Sequence, residues 1–498
     1  MGLKSLLAKP YARYIVGSNK RWINNPIAAQ ERVFKSLIDQ AKKTLFGKDH
    51  CFENIKSYYD FKQNVPIVDY EKLRPYIDLI KKGEANVLWP GVPIYLSKTS
   101  GTTSGAKYIP ISRESMPFHI KCAKDAILSY INETGHTQAL KGENMFIQGS
   151  PVLDKKGVVP VGRLSGIVAH YVPWYLQSSN YPTFRTNCID DWEEKIDAII
   201  EETINKNMTL ISGIPPWIQM YFERIVARTG KEISAVFPSF SLIVFGGVAF
   251  EPYKNIFKTL IGKDIPSVET YPSSEGFIAY QDSQSNEGLL LCVNHGIFYE
   301  FIPADEYFVK NPKRINLKEV KLGIDYALIL NTNAGLWGYS IGDTVRFVSL
   351  DPFRIVVSGR IKHFTSAFGE HVIGKEVETA LQKTLQKHPA EVMEFHVAPQ
   401  VQPKKGLPYH EWFIEFKKEP KSIHDFALEI DKNMRKQNNY YDDLISGSVL
   451  QPLVLTKLKP KTFIKFMKSV GKLGGQNKIQ RLANDRKIAD QLYRYIYE

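Results

Sequence analysis

The chain has 498 residues and a mass of 56.8 kDa, beyond the size at which one hydrophobic core keeps growing, so two or three domains are expected. Hydrophobic residues make up 43%, aromatic residues 12% and charged residues 23%, proportions that exclude a wholly disordered chain. Lys and Arg number 65 against 52 Asp and Glu, a net charge of +13, yet the bases are interspersed with acids, as at Lys417, Lys418, Glu419 and Lys421. Such mixing reads as a solvated basic surface rather than a nucleic-acid or membrane face. The longest apolar run, Leu242 to Phe250, has nine residues and two glycines, whereas a membrane-spanning helix needs about twenty. The basic start MGLKSLLAKPYARYIVG lacks a sustained apolar core, and Leu6 stands where a myristoylation signal wants Ser or Thr, so neither signal is expected. Cys51, Cys122, Cys188 and Cys292 are widely separated, which excludes the usual zinc spacing and predicts reduced core thiols in a cytoplasmic protein.

Residues 1–90 read mostly as helix, with apolar positions at helical spacing from Ala28 to Leu45. From about residue 95 short β-rich runs alternate with helical patterns. Asp190 and Glu193 have the spacing of a capping box, opening a helix with Ile196, Ile199, Ile200 and Ile204 on one face. A strand follows at Thr209–Ser212, then a turn at Pro215 and Pro216, then a helix through Trp217, Tyr221 and Ile225. The strand Leu242–Phe245, a helix near Tyr253–Ile261 and the strand Ser267–Tyr271 complete an alternation that predicts a buried, largely parallel sheet. After Leu289 the pattern changes to consecutive β runs (Leu289–Val293, Tyr299–Ile302, Tyr326–Leu330, Thr344–Val348, Arg354–Val357), as in an antiparallel barrel or meander. Ser358 to Lys362 reads as a hinge, giving a large N-terminal domain over 1–358 and a small α+β domain over 359–498.

The most unusual stretch is Ser97-Lys98-Thr99-Ser100-Gly101-Thr102-Thr103-Ser104-Gly105-Ala106-Lys107. Glycines allow backbone N–H groups close to phosphate oxygens, and hydroxyls and an ammonium add donors. A plain Ser/Gly surface turn has the same composition, and the spacing is not that of a Walker loop, because Ala106 stands where the lysine belongs. Three further islands follow in order. Tyr271-Pro272-Ser273-Ser274-Glu275-Gly276 offers an aromatic for a base and a carboxylate for a hard cation. Tyr339-Ser340-Ile341-Gly342-Asp343 places an acid suited to ribose hydroxyls, and Gly474 to Arg481 contains Asn477 and Lys478. Singly these are a core aromatic, a turn residue and a surface charge. A serine hydrolase elbow is disfavoured because position 272 is Pro, and His410-Glu411 fails as a zincin because position 414 is Ile.

In this order the islands resemble the adenylate-forming superfamily, and within it the Gretchen Hagen family of acyl acid amido synthetases. The resemblance also takes in Gly246, Gly247, the Trp412–Phe416 strand and Asn438-Asn439-Tyr440, and so covers nearly the whole chain, which looks like a bacterial-type member. The resemblance implies an α/β adenylate-forming fold, with mainly parallel sheets plus a β-barrel-like part in the large domain and a mobile small domain. It implies an ATP- and Mg²⁺-dependent ligase that adenylates a small carboxylic acid and passes the acyl group to an amino acid. Ser100, Gly101, Thr102, Thr103, Gly105 and Lys107 would hold the triphosphate, with Thr102 also acting in catalysis. Gly246, Gly247, Tyr271 and Ser274 would hold the adenosine side, Glu275 the magnesium, Asp343 the ribose, and Arg360 would lie near the nucleotide at the hinge. Lys478 would stabilise charge developing at the α-phosphate and acyl oxygen. The segments around Trp174, Trp217 and Val248 are expected near the acid. A thiol acceptor, as in acyl-CoA ligases, is the alternative, and a basic nucleic-acid- or membrane-binding protein a distant third.

Overall fold

The computed structural model describes residues 3–99, 107–155, 157–172, 177–189, 191–247, 250–361, 364–365, 372–401, 403–446, 450–471, 479–483 and 485–496. The chain divides into two compact units, residues 1–341 with 345–356, and residues 342–344 with 357–498.

The first unit opens with the helices Leu3–Ile23 and Pro26–Ala41. Pro26 fits the first helical turn, where its missing N–H has no intrahelical partner to lose. The apolar periodicity running on to Leu45 is cut at Thr44, whose Oγ1 accepts Gly47 N at 3.0 Å and caps a separate helix, Leu45–Asp49. Gln30 fixes the second helix to the sheet. Its Nε2 donates to Val293 O (2.7 Å) and Ile297 O (2.8 Å), and its Oε1 accepts Tyr299 N (2.9 Å), so this buried amide is well satisfied.

Two sheets build the rest of the first unit. In the smaller one β1 (Tyr95–Thr99) pairs antiparallel with β2 (Lys107–Ile111) and parallel with β4 (Val161–Gly162). The larger sheet has twelve strands. Its first part runs through β5 (Asn180–Tyr181), β3 (Glu143–Phe146), β6 (Met208–Gly213), β7 (Leu242–Gly246) and β8 (Ser267–Ser273), all mutually parallel. The helices Trp192–Thr203, Pro215–Thr229 and Glu251–Ile261 bring Ile196, Ile199, Ile200, Tyr221, Ile225 and Phe257 into one buried cluster with Ile211, Ile243 and Phe245 of these strands. Two local expectations shift here. The cap of the first helix is Asp191, accepting Glu194 N at 2.9 Å, while Asp190 lies outside the described residues. Pro215 and Pro216 are no turn but the first two helical positions, where fixed φ favours the helix.

At β8 the strand direction reverses. β9 (Gly276–Tyr280) pairs antiparallel with β8, β10 (Leu289–Leu291) with β9, and β15 (Phe353–Arg360) with β10. Beyond β15 come β14 (Tyr339–Leu350), β13 (Asp325–Thr332), β11 (Ile297–Pro303) and β12 (Ile315–Asn316). Every β run read from the sequence after Leu289 is thus a strand of the same sheet as the parallel strands. On β11, Glu300 is fully buried and paired with Arg314 through two bonds of 2.5 and 2.6 Å. Arg314 also donates to Val65 O (2.5 Å), and Asn331 donates to Glu300 (2.8 Å) while accepting Gly338 N (2.7 Å). The cluster ties the chain near Val65 to β11 and β13.

In the second unit, β16 (Phe364–Thr365) pairs with β17 (Val372–Ile373), and β18 (Glu391–Gln400) and β20 (Val454–Leu458) flank β19 (Tyr409–Lys418). β19 is buried on both faces. Trp412, Ile414 and Phe416 pack with Phe426 and Ile430 of the helix Ile423–Arg435, while Phe413 packs with Leu458, Phe463 and Leu492. On the Phe413 side Glu411 is held by Arg486 (2.9 Å), Thr456 (2.6 Å) and Tyr493.

Removing one partner of the Glu300–Arg314 pair leaves a buried charge uncompensated. Arg314→Met is expected to lower unfolding stability by about 3–5 kcal/mol, read as a shift of the urea midpoint at unchanged slope.

Candidate active site

β1 and β2 form a hairpin with Thr99 opposite Lys107. The Ser/Thr/Gly stretch therefore spans its tip, and Ser100, Gly101, Thr102, Thr103 and Gly105 lie outside the described residues. Lys107, the last residue of the stretch, opens β2, as the strand-like Tyr108 and Ile109 lead one to expect. The hairpin base is fixed by Ser97. Its buried Oγ lies 2.9 Å from Ser274 Oγ, so the first sequence island is joined directly to the second. The sequence reading gave Ser97 no role; its position at the head of the Ser/Thr/Gly stretch was the available signal.

The carboxyl ends of the parallel strands converge on the same place. β7 ends at Gly246, where an added Cβ would stand 2.6 Å from Thr270 O and 2.8 Å from Thr270 Oγ1, so only glycine lets β7 and β8 close here. Gly247 follows with φ +81, a conformation open to glycine at little cost. Thr270 Oγ1 donates to Phe245 O at 2.9 Å, locking the two strands. Tyr271 is buried on β8, and a register shift between Tyr271 and Pro272 leads into a two-residue turn of Ser274 and Glu275. Ser273 Oγ donates to Gly276 O (3.2 Å) and accepts Glu275 N (3.2 Å), which fixes the backbone bearing the half-buried Glu275. Open α/β sheets bind ligands outside such carboxyl ends, where the strand order turns.

This donor set fits a nucleotide with a hard divalent cation. Glu275 and the serine hydroxyls are oxygen donors, Lys107 is cationic, and Tyr271 is aromatic at the end of a parallel strand. Trp217 is buried among Ile147, Ile218 and Tyr221, while Trp174 and Val248 lie outside the described residues.

Glu269 was missed by the sequence reading. It sits two residues before Tyr271, hence on the same face of β8, and burial pushes its carboxyl up to about 7. The signal was a single acid inside the strand-like run Ser267–Tyr271. Lys195 is a second case, a buried ammonium donating to Asn187 O (2.7 Å) and Gln148 O (3.2 Å) just past the carboxyl end of β3.

In the second unit Asp343 follows Gly342, whose φ is +84 and whose carbonyl accepts Ile361 N at 2.6 Å. Ser358 Oγ donates to Thr344 Oγ1 at 3.0 Å, so the two strand segments 342–344 and 357–361 are held side by side. Arg360 ends β15, and its side chain lies outside what is described. Lys478 also lies outside the described residues. The residues after it are anchored: Val397 N donates to Arg481 O (2.8 Å), Ala483 N to Val397 O (2.9 Å), and Arg481 bridges Glu394 (2.8 Å) and Glu378 (3.1 Å).

Three sequence profiles match the chain in order: the GH3 family N-terminal domain over residues 18–186, the central domain over 290–360 and the C-terminal domain over 375–487. The chain belongs to the GH3 family. Among curated relatives, it is similar to the jasmonoyl–L-amino acid synthetase JAR4 of Nicotiana attenuata, 24% identical over 64% of this chain and 66% of that protein. It is equally similar to the indole-3-acetic acid-amido synthetase GH3.15 of Arabidopsis thaliana, 24% identical over 64% of each. The chain thus spans just under two thirds of the length of these relatives, and 85% of another from Arabidopsis, the indole-3-acetic acid-amido synthetase GH3.10. The solved GH3.15 acyl acid amido synthetase in complex with 2,4-DB superposes with a TM-score of 0.80 at 16% identity, over 97% of this chain and 96% of that one. A 2-hydroxyisobutyryl-CoA ligase gives 0.59 at 12% identity, over 95% and 92%. GH3 membership carries the adenylate-forming fold, mixed α/β with a large sheet and a small C-terminal part.

The Glu269 carboxyl has an ordinary value of 4.5 and is raised to about 7 in the fold, so the folded protein holds the proton more tightly than the unfolded chain. The stability this contributes is fully present below about pH 4.5 and lost as the pH rises through about 7. Glu269→Gln keeps the neutral shape at every pH. It is expected to be more stable than the parent at pH 8 by on the order of 2 kcal/mol, with the gap closing towards pH 5, in paired urea titrations.

Proposed function

We propose that this protein is an ATP-dependent acyl acid amido synthetase. It adenylates a small carboxylic acid with release of pyrophosphate, then transfers the acyl group to the amine of an amino acid. The observation that carries the reading is the match to all three GH3 domains in order between residues 18 and 487, the family of the two relatives named as amino acid or amido synthetases. Those relatives also favour an amine over a thiol acceptor. No helix among the described residues is long and apolar enough to cross a membrane, and all four cysteines are unpaired, which supports the cytoplasm as the working compartment.

A carboxylate is a poor electrophile, and attack at the α-phosphate demands charge neutralisation and alignment more than covalent help from the protein. In this reading the hairpin tip at Ser100, Gly101, Thr102, Thr103 and Gly105, with Lys107 at its base, holds the triphosphate. Gly246 and Gly247 admit the nucleotide's backbone contacts, and Tyr271 and Ser274 take the adenine. Magnesium, held by Glu275, supplies charge neutralisation at the phosphates. Asp343 accepts from the ribose, and Arg360 approaches the nucleotide. The Ser97–Ser274 bond supports this assignment because it holds the phosphate and adenine segments in fixed register. Residues 1–358 form the nucleotide- and acid-binding domain, and residues 359–498 a mobile lid carrying Lys478, which donates to the developing charge in the first half-reaction.

The test is pyrophosphate release from ATP and magnesium across a panel of aryl, indolyl and fatty acids, followed by addition of amino acids and identification of the amide. Release is expected to depend on the acid, and Lys478→Ala to lower it roughly 10²–10³-fold while ATP binding persists. A wild-type protein that binds no ATP overturns the reading.

A further inference from the structure

The cysteines that lie far apart in sequence do not all lie far apart in space. Cys122, on the helix Met116–Thr134, and Cys292, one residue past β10, are both fully buried, and their sulfurs stand 3.8 Å apart. His295, three residues after Cys292 and also buried, places a ring nitrogen in the same cluster, with all three ligand atoms within 4.8 Å of one another. A disulfide needs about 2.05 Å between sulfurs, so this spacing is not that of a bond. A tetrahedral ion holding two thiolates at about 2.3 Å sets them about 3.8 Å apart, which is the separation found.

Two independent features point to an occupant. The His295 ring is wedged edge-on against Trp22 (centroids 5.4 Å apart) and Phe118 (5.3 Å), yet its Nδ1 has no hydrogen-bond partner among the described residues. One helical turn beyond Cys122, Asp125 is fully buried; its Oδ2 is held by Asn19 (2.9 Å) and Lys121, but its Oδ1 has no hydrogen-bond partner among the described residues. Unmet polar atoms in a dry core are costly unless something uses them. Two sulfurs and an imidazole select a soft, d¹⁰ cation and not the hard magnesium ion expected at Glu275.

We propose that Cys122, Cys292 and His295 form a binding site for one thiophilic d¹⁰ cation, zinc(II) or copper(I), with a water in the remaining position. Binding forms two metal–sulfur bonds and one metal–nitrogen bond, and the two thiol protons leave to solvent. The ion cross-links the 116–134 helix to the β10–β11 turn, beside Trp22 of the first helix, and so acts on the fold. The proposal does not depend on the ligase reading.

The test uses the full-length protein, reduced and treated with chelator, then titrated with cobalt(II) as a spectroscopic probe. The expected result is a thiolate-to-cobalt charge-transfer band saturating at one equivalent and abolished by zinc(II); a copper(I) competition arm decides between the two ions. Cys292→Ser and His295→Ala are expected to weaken binding at least tenfold. The double variant Cys51→Ser/Cys188→Ser removes every other thiol and must keep the band. Absence of the band in the wild type, or its loss in that double variant, overturns the site. So does mass spectrometry showing Cys122 and Cys292 joined as a disulfide in the purified protein.

Discussion

β8 is hydrogen-bonded on one side to a strand running with it and on the other to one running against it, and nearly everything at the candidate site follows from that constraint. A strand with a parallel neighbour needs a helical crossover to reach it, which puts loops and helix starts at the carboxyl ends of β6 and β7. A strand with an antiparallel neighbour is joined by a short turn, and here the turn is two residues, Ser274 and Glu275. The loops at the strand ends and the Glu275 carboxylate therefore meet at one change of strand direction. Gly246 is what permits it, because any side chain there would stand against Thr270 and hold β7 off β8.

That junction is also where two separate sheets are linked. The β1–β2 hairpin belongs to the smaller sheet, and a side-chain bond joins it to the β8–β9 turn from Ser97 to Ser274. Two hydroxyls are an adaptable link, since either oxygen can donate and both retain lone pairs. A hairpin linked this way keeps its base in fixed register with the β8–β9 turn.

Local rules carried the sequence reading well wherever short-range physics decides. Alternation of apolar strands with amphipathic helices placed β6, β7 and β8 and the helices between them, and the β runs after Leu289 all became strands. The errors were of one kind. Asp190 and Asp191 are adjacent candidates for the same cap, and the choice depends on which carboxylate reaches an N–H three residues on. Pro215 and Pro216 suit a turn or a first helical turn equally, and packing of Trp217, Tyr221 and Ile225 under the sheet decides for the helix. At Thr44 a side-chain cap overrides an unbroken apolar period. What sequence could not give was juxtaposition across long separations. Ser97 meets Ser274 across 177 residues, and Cys122 meets Cys292 across 170. Spacing rules for cysteine ligands assume a local loop and have nothing to say about ligands brought together by the sheet.

Buried polar groups divide into satisfied and unsatisfied ones, a distinction that burial alone does not draw. Glu300, Gln30 and Glu411 are deeply buried, and each is engaged by named partners. Such groups serve the fold, and burial alone marks nothing functional in them. Around β8 and β3 the pattern differs. Burial pushes the Glu269 carboxyl up to about 7, and Gln148 Oε1 and Asn187 Oδ1, next to the buried Lys195, have no hydrogen-bond partner among the described residues. The Cys122–Cys292–His295 cluster shows the same incompleteness at a second place. Where such a group lies beside a candidate site, as at Gln148, Asn187 and His295, a substrate or an ion can complete it, whereas Tyr58 Oη and His396 Nε2 show the same deficit elsewhere among the described residues.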